Sequence, residues 1–317
     1  MAGEIDHMAV SASDFPMLKQ KELDGGPFTI FMAQPTQPTP SPVHISFNFD
    51  VDKPQLQQLF TNTEFRRAME YLLNRDRIID EVYNGLAIPG AGLVLPSNKA
   101  FYNPKIEEIM RSYNPEKAKA ILDQLGLKDT NKDGIREFAD GKPVEFTLTV
   151  QSSPQDYQDI ALIFKEDVEK AGIKVNLQIL ESSLTGNMFG AGSFEAGIRA
   201  FGNQPDLELR KAIWQPGTQL YYWHYSVLDK ESLVAITDKM FDWEVRLYEL
   251  FDLGSITTDV EKRKLVYDEV QEIYHDVLPV IFVSKEMNLW GASKSLGNVY
   301  QDAEGVVYFS TYTCYKK

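Results

Sequence analysis

The chain has 317 residues, 43% of them apolar and 25% charged, with a formal net charge of −14. That length and apolar share support one large or two smaller folded units and argue against disorder. No long Lys/Arg cluster offsets the acidity, which excludes the basic face a nucleic-acid partner needs. The single cysteine, Cys314, allows neither an intrachain disulfide nor a thiolate metal site. There is no apolar run of the roughly 18 residues that span a bilayer. The start, MAGEIDHMAVSASDF, has no basic segment followed by an apolar one. Either the protein is cytoplasmic or the natural chain begins upstream of Met1.

The first strand expected lies near Pro27–Ala33. Four prolines then make 34–42 a loop, because proline cannot donate to a ladder. VHISFNF, Val43–Phe49, alternates Val43, Ile45, Phe47 and Phe49 on one face and reads as a strand. A helical block follows from Lys53 to Tyr83, capped near Thr61–Thr63 and ended by Gly85. Residues 87–104 read as loop. Asn114-Pro115 opens the next helix as cap and first-turn proline, and Gly126 stops it. Val144–Val150 and Ile173–Ile179 alternate as strands around a helix from about Asp156 to Ala171, a βαβ unit whose strands should be parallel. Phe194–Phe201 extends the sheet. After an irregular aromatic stretch, helices are expected at about Lys230–Asp252 and Asp259–Asp276, then a buried strand Leu278–Val283 and a tail strand Val306–Tyr312.

DTNKDGIREFADGK, Asp129–Lys142, has oxygen-bearing side chains at Asp129, Asn131 and Asp133 followed by Gly134, the opening of a calcium-loop pattern. Its twelfth position is Asp140, shorter than the Glu that grips calcium with both oxygens, and a strand leaves it where an EF-hand has a helix. A polar turn stabilised by Asx bonds is the favoured reading, with no cofactor; calcium bound by Asp129, Asn131, Asp133 and Asp140 is the minor one and would brace the turn.

No zinc-hydrolase, nucleophile-elbow or phosphate-loop motif occurs, and His7, His44, His224 and His275 are too scattered to form a ligand set. Asp242 and Glu244, two apart on a helix, point to different faces. The distinctive chemistry is aromatic: Phe201, Trp214, Tyr221, Tyr222, Trp223 and Tyr225 crowd one stretch. Rings with polar tips serve equally as core or as a ligand platform for sugars and peptide side chains.

Several stretches, in order and covering nearly the whole chain, carry a resemblance: GEID (Gly3–Asp6), FNFD (Phe47–Asp50), FRRAMEYLLNRDRIIDEVYNGLAIPG (Phe65–Gly90), Tyr113–Val150 with its NPEKAKAILDQLG and DGIREFADGK segments, EDVEKAGIKVNLQIL (Glu166–Leu180) and EIYHDVLPVIFV (Glu272–Val283). The chain resembles the oligopeptide/dipeptide-binding family of bacterial extracellular solute-binding proteins, the receptors of ABC importers. The resemblance implies an α/β, two-lobed, type II periplasmic-binding-protein-like fold, of which this chain holds the C-terminal lobe and part of the other. Residues 1–49 would be a remnant of the N-terminal lobe with a crossover strand, 50–283 the C-terminal ligand-binding lobe, and 284–317 the return into the first. The signal peptide and most of the N-terminal lobe would lie upstream of Met1, making this a fragment of a periplasmic or extracellular, membrane-associated protein.

In that family a Trp- and Asp-containing stretch holds a peptide's amino group. Here the matching place reads AFGNQPDLE, with Phe201 near the Trp, Asn203 near the Asp, and Pro205-Asp206 in reversed order. The implied function is binding, not catalysis: an oligopeptide held between lobes for delivery to ABC permease subunits, by a monomer. An oligosaccharide is the alternative, favoured by the Trp and Tyr density; a nickel receptor ranks last, and a carboxylate-dependent hydrolase is the rival from another class. The candidate ligand contacts are Asn48 at the crossing, Asn203 and Asp206 in the altered stretch, and the rings of Trp214, Tyr222 and Trp223.

Overall fold

A computed structural model describes residues 5–33, 42–90, 92–201, 206–301, 307–308 and 314–316. In chain order the elements are β1 (His7–Ala9), α1 (Phe15–Leu23), β2 (Phe28–Ala33), β3 (Val43–Phe47), α2 (Pro54–Thr61), α3 (Thr63–Tyr71), α4 (Arg75–Glu81), β4 (Ala87–Pro89), α5 (Ile106–Ile109) and α6 (Pro115–Gln124). They continue as β5 (Glu145–Gln151), α7 (Gln155–Lys170), β6 (Lys174–Leu180), α8 (Ser182–Ala191), β7 (Ala196–Arg199), α9 (Lys211–Trp214), α10 (Asp242–Ile256), α11 (Val260–Val277), β8 (Val280–Glu286) and β9 (Asn288–Ser293).

Two sheets organise the described residues. The larger has six strands in the order β4-β8-β3-β7-β5-β6; the smaller is β1-β9-β2. β5 and β6 are parallel over their full length, as the βαβ pattern requires, and β5 is also parallel to β7. β3 lies between β7 and β8, antiparallel to both. Every residue of β3 is buried, so the strand divides two layers by its alternation. Ile45 and Phe47 face the helices, where Phe47 meets Phe60, Phe65 and Phe146 at ring-centroid distances of 4.9, 5.6 and 5.8 Å. His44 and Ser46 face the opposite side. The chain leaves the large sheet at Glu286 and enters the small one at Asn288, with Met287 alone between them.

The structure subdivides the helical block expected over Lys53–Tyr83. Asn62 Oδ1 accepts the Glu64 N–H at 2.9 Å and Asn74 Oδ1 accepts the Arg77 N–H at 3.0 Å, so each asparagine caps a new helix. The expected helix Lys230–Asp252 is corrected more strongly, since α10 starts only at Asp242. Upstream, Leu228 bridges Ala235 and the Ile236 N–H bonds the Val227 carbonyl at 2.8 Å. Glu244 then reaches back to the Phe241 N–H at 3.0 Å and fixes the start. The loop expected over 87–104 contains β4 at its beginning. Of the expected tail strand, Val307–Tyr308 pairs antiparallel with Tyr300–Gln301 and the remainder lies outside the described residues. No helix among the described residues is long and apolar enough to cross a membrane.

Candidate ligand site

The polar face of β3 and β7 carries the most unusual chemistry in the fold. Antiparallel register sets His44 opposite Arg199 and Ser46 opposite Gly197. Gly197 leaves room for the Phe189 ring, because an added Cβ would stand 2.6 Å from two of its carbons. The Arg199 guanidinium lies 4.1 Å above the Phe189 ring centre, with Phe194, Phe201 and Tyr222 at 5.2, 5.2 and 5.3 Å. A cation among ring faces is stabilised by their quadrupoles. Nη2 donates to Ser46 Oγ at 3.1 Å and to the Tyr222 carbonyl at 3.0 Å. Among the described residues, Nε and Nη1 have no hydrogen-bond partner although both are buried.

Burial lowers the Arg199 guanidinium to about 10, opposed by Tyr225 and Tyr222. It therefore stays charged at neutral pH. His44 is pushed in the same direction: burial, with Arg199 adding to it, holds its imidazole down to about 3. It is neutral, bonds the Pro42 carbonyl through Nδ1 at 3.3 Å, and leaves Nε2 unpartnered among the described residues. A buried guanidinium with two open donors is costly unless an anion supplies acceptors. A carboxylate or a comparable acidic group would supply those acceptors if the covering rings moved to admit it.

The residues expected from sequence distribute unevenly around this centre. Tyr222 is half-buried and lies against Phe201, ring centres 5.8 Å apart, so it borders the arginine. Trp214 and Trp223 have no exposed surface. Their rings lie 6.0 Å apart behind His44 and Phe201, and the structure places them as the packed backing of the site where an open platform was expected. Asn48 is also enclosed: its Nδ2 donates to the Gly192 and Phe194 carbonyls and its Oδ1 accepts the Asp50 N–H, so it ties β3 to the α8–β7 connection. Asp206 caps a 3-10 turn through the Glu208 N–H and holds Arg263 with both oxygens, at 2.5 and 2.9 Å. Asn203 lies outside the described residues.

Further along the same sheet face is an open groove of about 500 Å³ bordered by Asp50, Asp52, Lys53, Thr147, Gln178 and Glu195. Asp50 already accepts the Tyr225 and Ser226 N–H groups, and Glu195 accepts Thr147 N–H and pairs with Lys53. Asp50 and Glu195 are thus committed to the fold, whereas the nest keeps unpartnered donors among the described residues.

In the calcium-like loop, Asp129 and Asp133 come together, but with Glu137 as the third carboxylate. Asn131 supports Asp133, its Nδ2 donating to Oδ2 at 3.1 Å. Asp140 is not of the group: the Phe138 N–H bonds the Lys142 carbonyl, which folds 139–141 into a separate turn where Asp140 pairs with Lys142 at 2.8 Å.

Sequence reasoning passed over Arg199 and His44. The available signal was a lone arginine inside the apolar strand AGIR, flanked by Phe194 and Phe201, and a histidine alternating with Ser46 in a buried strand.

The profile of the bacterial extracellular solute-binding proteins, family 5 Middle, matches residues 1–215. A probable ABC transporter-binding protein of Deinococcus radiodurans is 25% identical over 285 residues, 86% of this chain and 46% of that protein. The oligopeptide-binding protein AppA of Bacillus subtilis is 36% identical over 128 residues, 40% of this chain and 23% of its own length. The structure of AppA with a nonapeptide superposes over 100% of this chain and 57% of its own, with a TM-score of 0.78 at 21% identity. The periplasmic binding protein MelB of Agrobacterium fabrum, solved with stachyose, covers 94% of this chain and 45% of its own, with a TM-score of 0.78 at 20% identity. The chain thus spans about half the length, or less, of these relatives. The shared fold is that of the type II periplasmic binding proteins, α/β with mixed sheets. The match over residues 1–215 places the chain in the bacterial extracellular solute-binding proteins, family 5.

Proposed function

We propose that the protein is the substrate-binding component of an ABC importer and holds an oligopeptide, with Arg199 receiving a carboxylate of the ligand. The observation that carries this reading is the buried guanidinium of Arg199, ringed by Phe189, Phe194, Phe201 and Tyr222, with Nε and Nη1 unpartnered among the described residues. The ligand-binding lobe is then the expected 50–283 together with β3 and the end of β8, which complete its sheet, and β1, β2 and β9 belong to the other. The single residue Met287 between β8 and β9 supports a hinge there, since two sheets joined by so short a link can rotate about it. The role is binding without chemistry, outside the cytoplasm, as a monomer that docks on permease subunits.

An oligosaccharide is the second reading. The half-buried Tyr222 beside Phe201 favours it, because sugar faces stack on such rings, and the similar MelB was solved with stachyose. A neutral sugar would leave the Arg199 charge without a counter-ion, which makes the acidic end of a peptide the better fit. The test is calorimetric titration of the chain, and of the longest reading frame containing it, with peptides bearing a free or an amidated C-terminus and with neutral oligosaccharides. Loss of about 10–100-fold in affinity on amidation supports the peptide reading, in line with hydrogen bonds to a charged group. Tight binding of a neutral sugar overturns it.

A further inference from the structure

The loop between α6 and β5 brings three acidic side chains into one place. Asp129, Asp133 and Glu137 each present a carboxylate oxygen, all within 4.8 Å of one another. Asp129 and Asp133 are exposed, whereas Glu137 is only 5% exposed. Among the described residues, no lysine, arginine or histidine makes an ion pair with any of the three, although Lys128 and Lys132 are their neighbours in sequence. Three like charges at this separation repel one another, and none has an ion-pair partner among the described residues.

Backbone amides account for most of the remaining acceptors. Asp129 takes the N–H groups of Lys132 and Gly134 at 2.7 and 3.0 Å, and Asp133 Oδ1 takes that of Ile135 at 2.8 Å. Those bonds alone describe a self-capped turn and require no ion. Glu137 is different. Its Oε2 accepts both the N–H and the hydroxyl of Thr130, at 2.7 and 2.8 Å, while Oε1 is enclosed and unpartnered among the described residues. A buried carboxylate oxygen without a donor is disfavoured in a folded protein unless something outside the chain satisfies it.

We propose that Asp129, Asp133 and Glu137 bind a calcium ion. The donors are all oxygen, which selects a hard cation over the nitrogen- and sulfur-seeking transition metals. The spacing of four residues between successive carboxylates, with Gly134 at φ +91° after the second, is that of positions 1, 5 and 9 of a calcium-wrapping loop. Glu137, at the ninth position, offers the single unpartnered oxygen Oε1, and Asp140 stands outside the group. Asn131, at the third position, holds Asp133 in place. The site sits on an exposed loop that can adjust ligand number and distance, which favours calcium over the octahedral demands of magnesium.

Such an ion would brace a corner that the fold already relies on. Next to Glu137, Arg136 donates from Nε to the Ala171 carbonyl at 2.7 Å, and its backbone N–H bonds the Gly172 carbonyl at 2.7 Å. Nη1 reaches Asp123 and the Leu127 carbonyl, both at 2.5 Å. Fixing the loop therefore fixes the junction of α6, β5 and the α7–β6 turn. This role is independent of the ligand bound at Arg199.

The experiment is thermal unfolding of the purified chain, stripped with a chelator, in the presence of about 5 mM calcium chloride or magnesium chloride, with calcium titration by calorimetry. Extracellular calcium modules bind at about 0.1–1 mM, so this concentration saturates a site of that class. A calcium-dependent rise in Tm larger than magnesium gives is expected, with about one ion bound per chain. Asp133→Asn keeps an oxygen for the Ile135 N–H, gives up the acceptor of Asn131 Nδ2 and relieves the repulsion, so its own Tm without calcium is the reference, and its calcium affinity should fall about tenfold or more. Asp140→Asn should respond as the unsubstituted chain does. Absence of any calcium-specific shift or heat, or an equal calcium response in Asp133→Asn, overturns the proposal.

Discussion

His44 and Arg199 are direct partners across the β3–β7 ladder, a neutral imidazole beside a charged guanidinium. Both are enclosed, and burial acts on them in the same direction by disfavouring the charged form. The outcome differs because their ordinary values differ. Histidine is carried far below neutrality, whereas arginine remains above it. The pair therefore carries one positive charge, and the imidazole adds no second one.

Replacing Arg199 by Met should separate binding from folding. Peptide affinity should fall about 10–100-fold as the charged donors disappear. The unliganded protein should not be destabilised, and should gain slightly, because a buried and incompletely paired charge is removed in favour of an apolar chain of similar length. Calorimetry and urea unfolding on the same preparation read the two quantities. A large loss of stability with unchanged affinity would make Arg199 a structural cation.

The two most depressed histidines predict the acid limb of stability. His44 and His275 are both held down to about 3, burial being the main cause, with Arg199 acting on the first and Arg75 and Arg111 on the second. Their folded values lie below their unfolded ones, so between about pH 3 and 6.5 the unfolded chain binds protons that the folded one refuses. Stability must then rise with pH across that window, by about 1.4 kcal/mol per pH unit for each imidazole. Asp156 opposes this over part of the range, since burial raises it to about 6 and its contribution is lost as pH rises toward that value. Urea unfolding at pH 5 and pH 7 should show a net gain at pH 7, and His275→Gln should shrink it. A flat profile would contradict the burial of these rings.

Gly197→Ala tests the steric argument at the nest. The new methyl would fall 2.6 Å from Phe189 carbons, so the ring must move and the platform under Arg199 with it. A loss of about 1–3 kcal/mol is expected, together with weaker ligand binding. Pairing it with Phe189→Leu should recover part of the stability, because the clash is with that ring alone. Equal losses in the single and double variants would place the strain elsewhere.

The periodic parts of the chain were legible because their signal is local. Alternation in Val144–Val150 and Ile173–Ile179, separated by a helix, dictates a parallel β5–β6 pair, and the Asn114-Pro115 cap sets the start of α6. The family, too, follows from the order of its conserved-looking blocks. Residues 230–241 were misread as helix because their apolar spacing suits one, while the Leu228–Ala235 bridge that prevents it depends on a fold-back.

Sequence alone determined that this is an acidic α/β protein of the solute-binding type, with an aromatic stretch of ambiguous purpose and a loop rich in oxygen donors. Tertiary structure decided which of those residues are exposed to partners and which are consumed by the fold. Trp214 and Trp223 became core, Asn48 and Asp206 became internal ties, and Arg199 was left with open donors. Glu137 replaced Asp140 beside Asp129 and Asp133. The physical reason is the same in each case. A polar atom's availability is set by which groups long-range packing brings within about 3 Å of it, and spacing along the chain does not encode that.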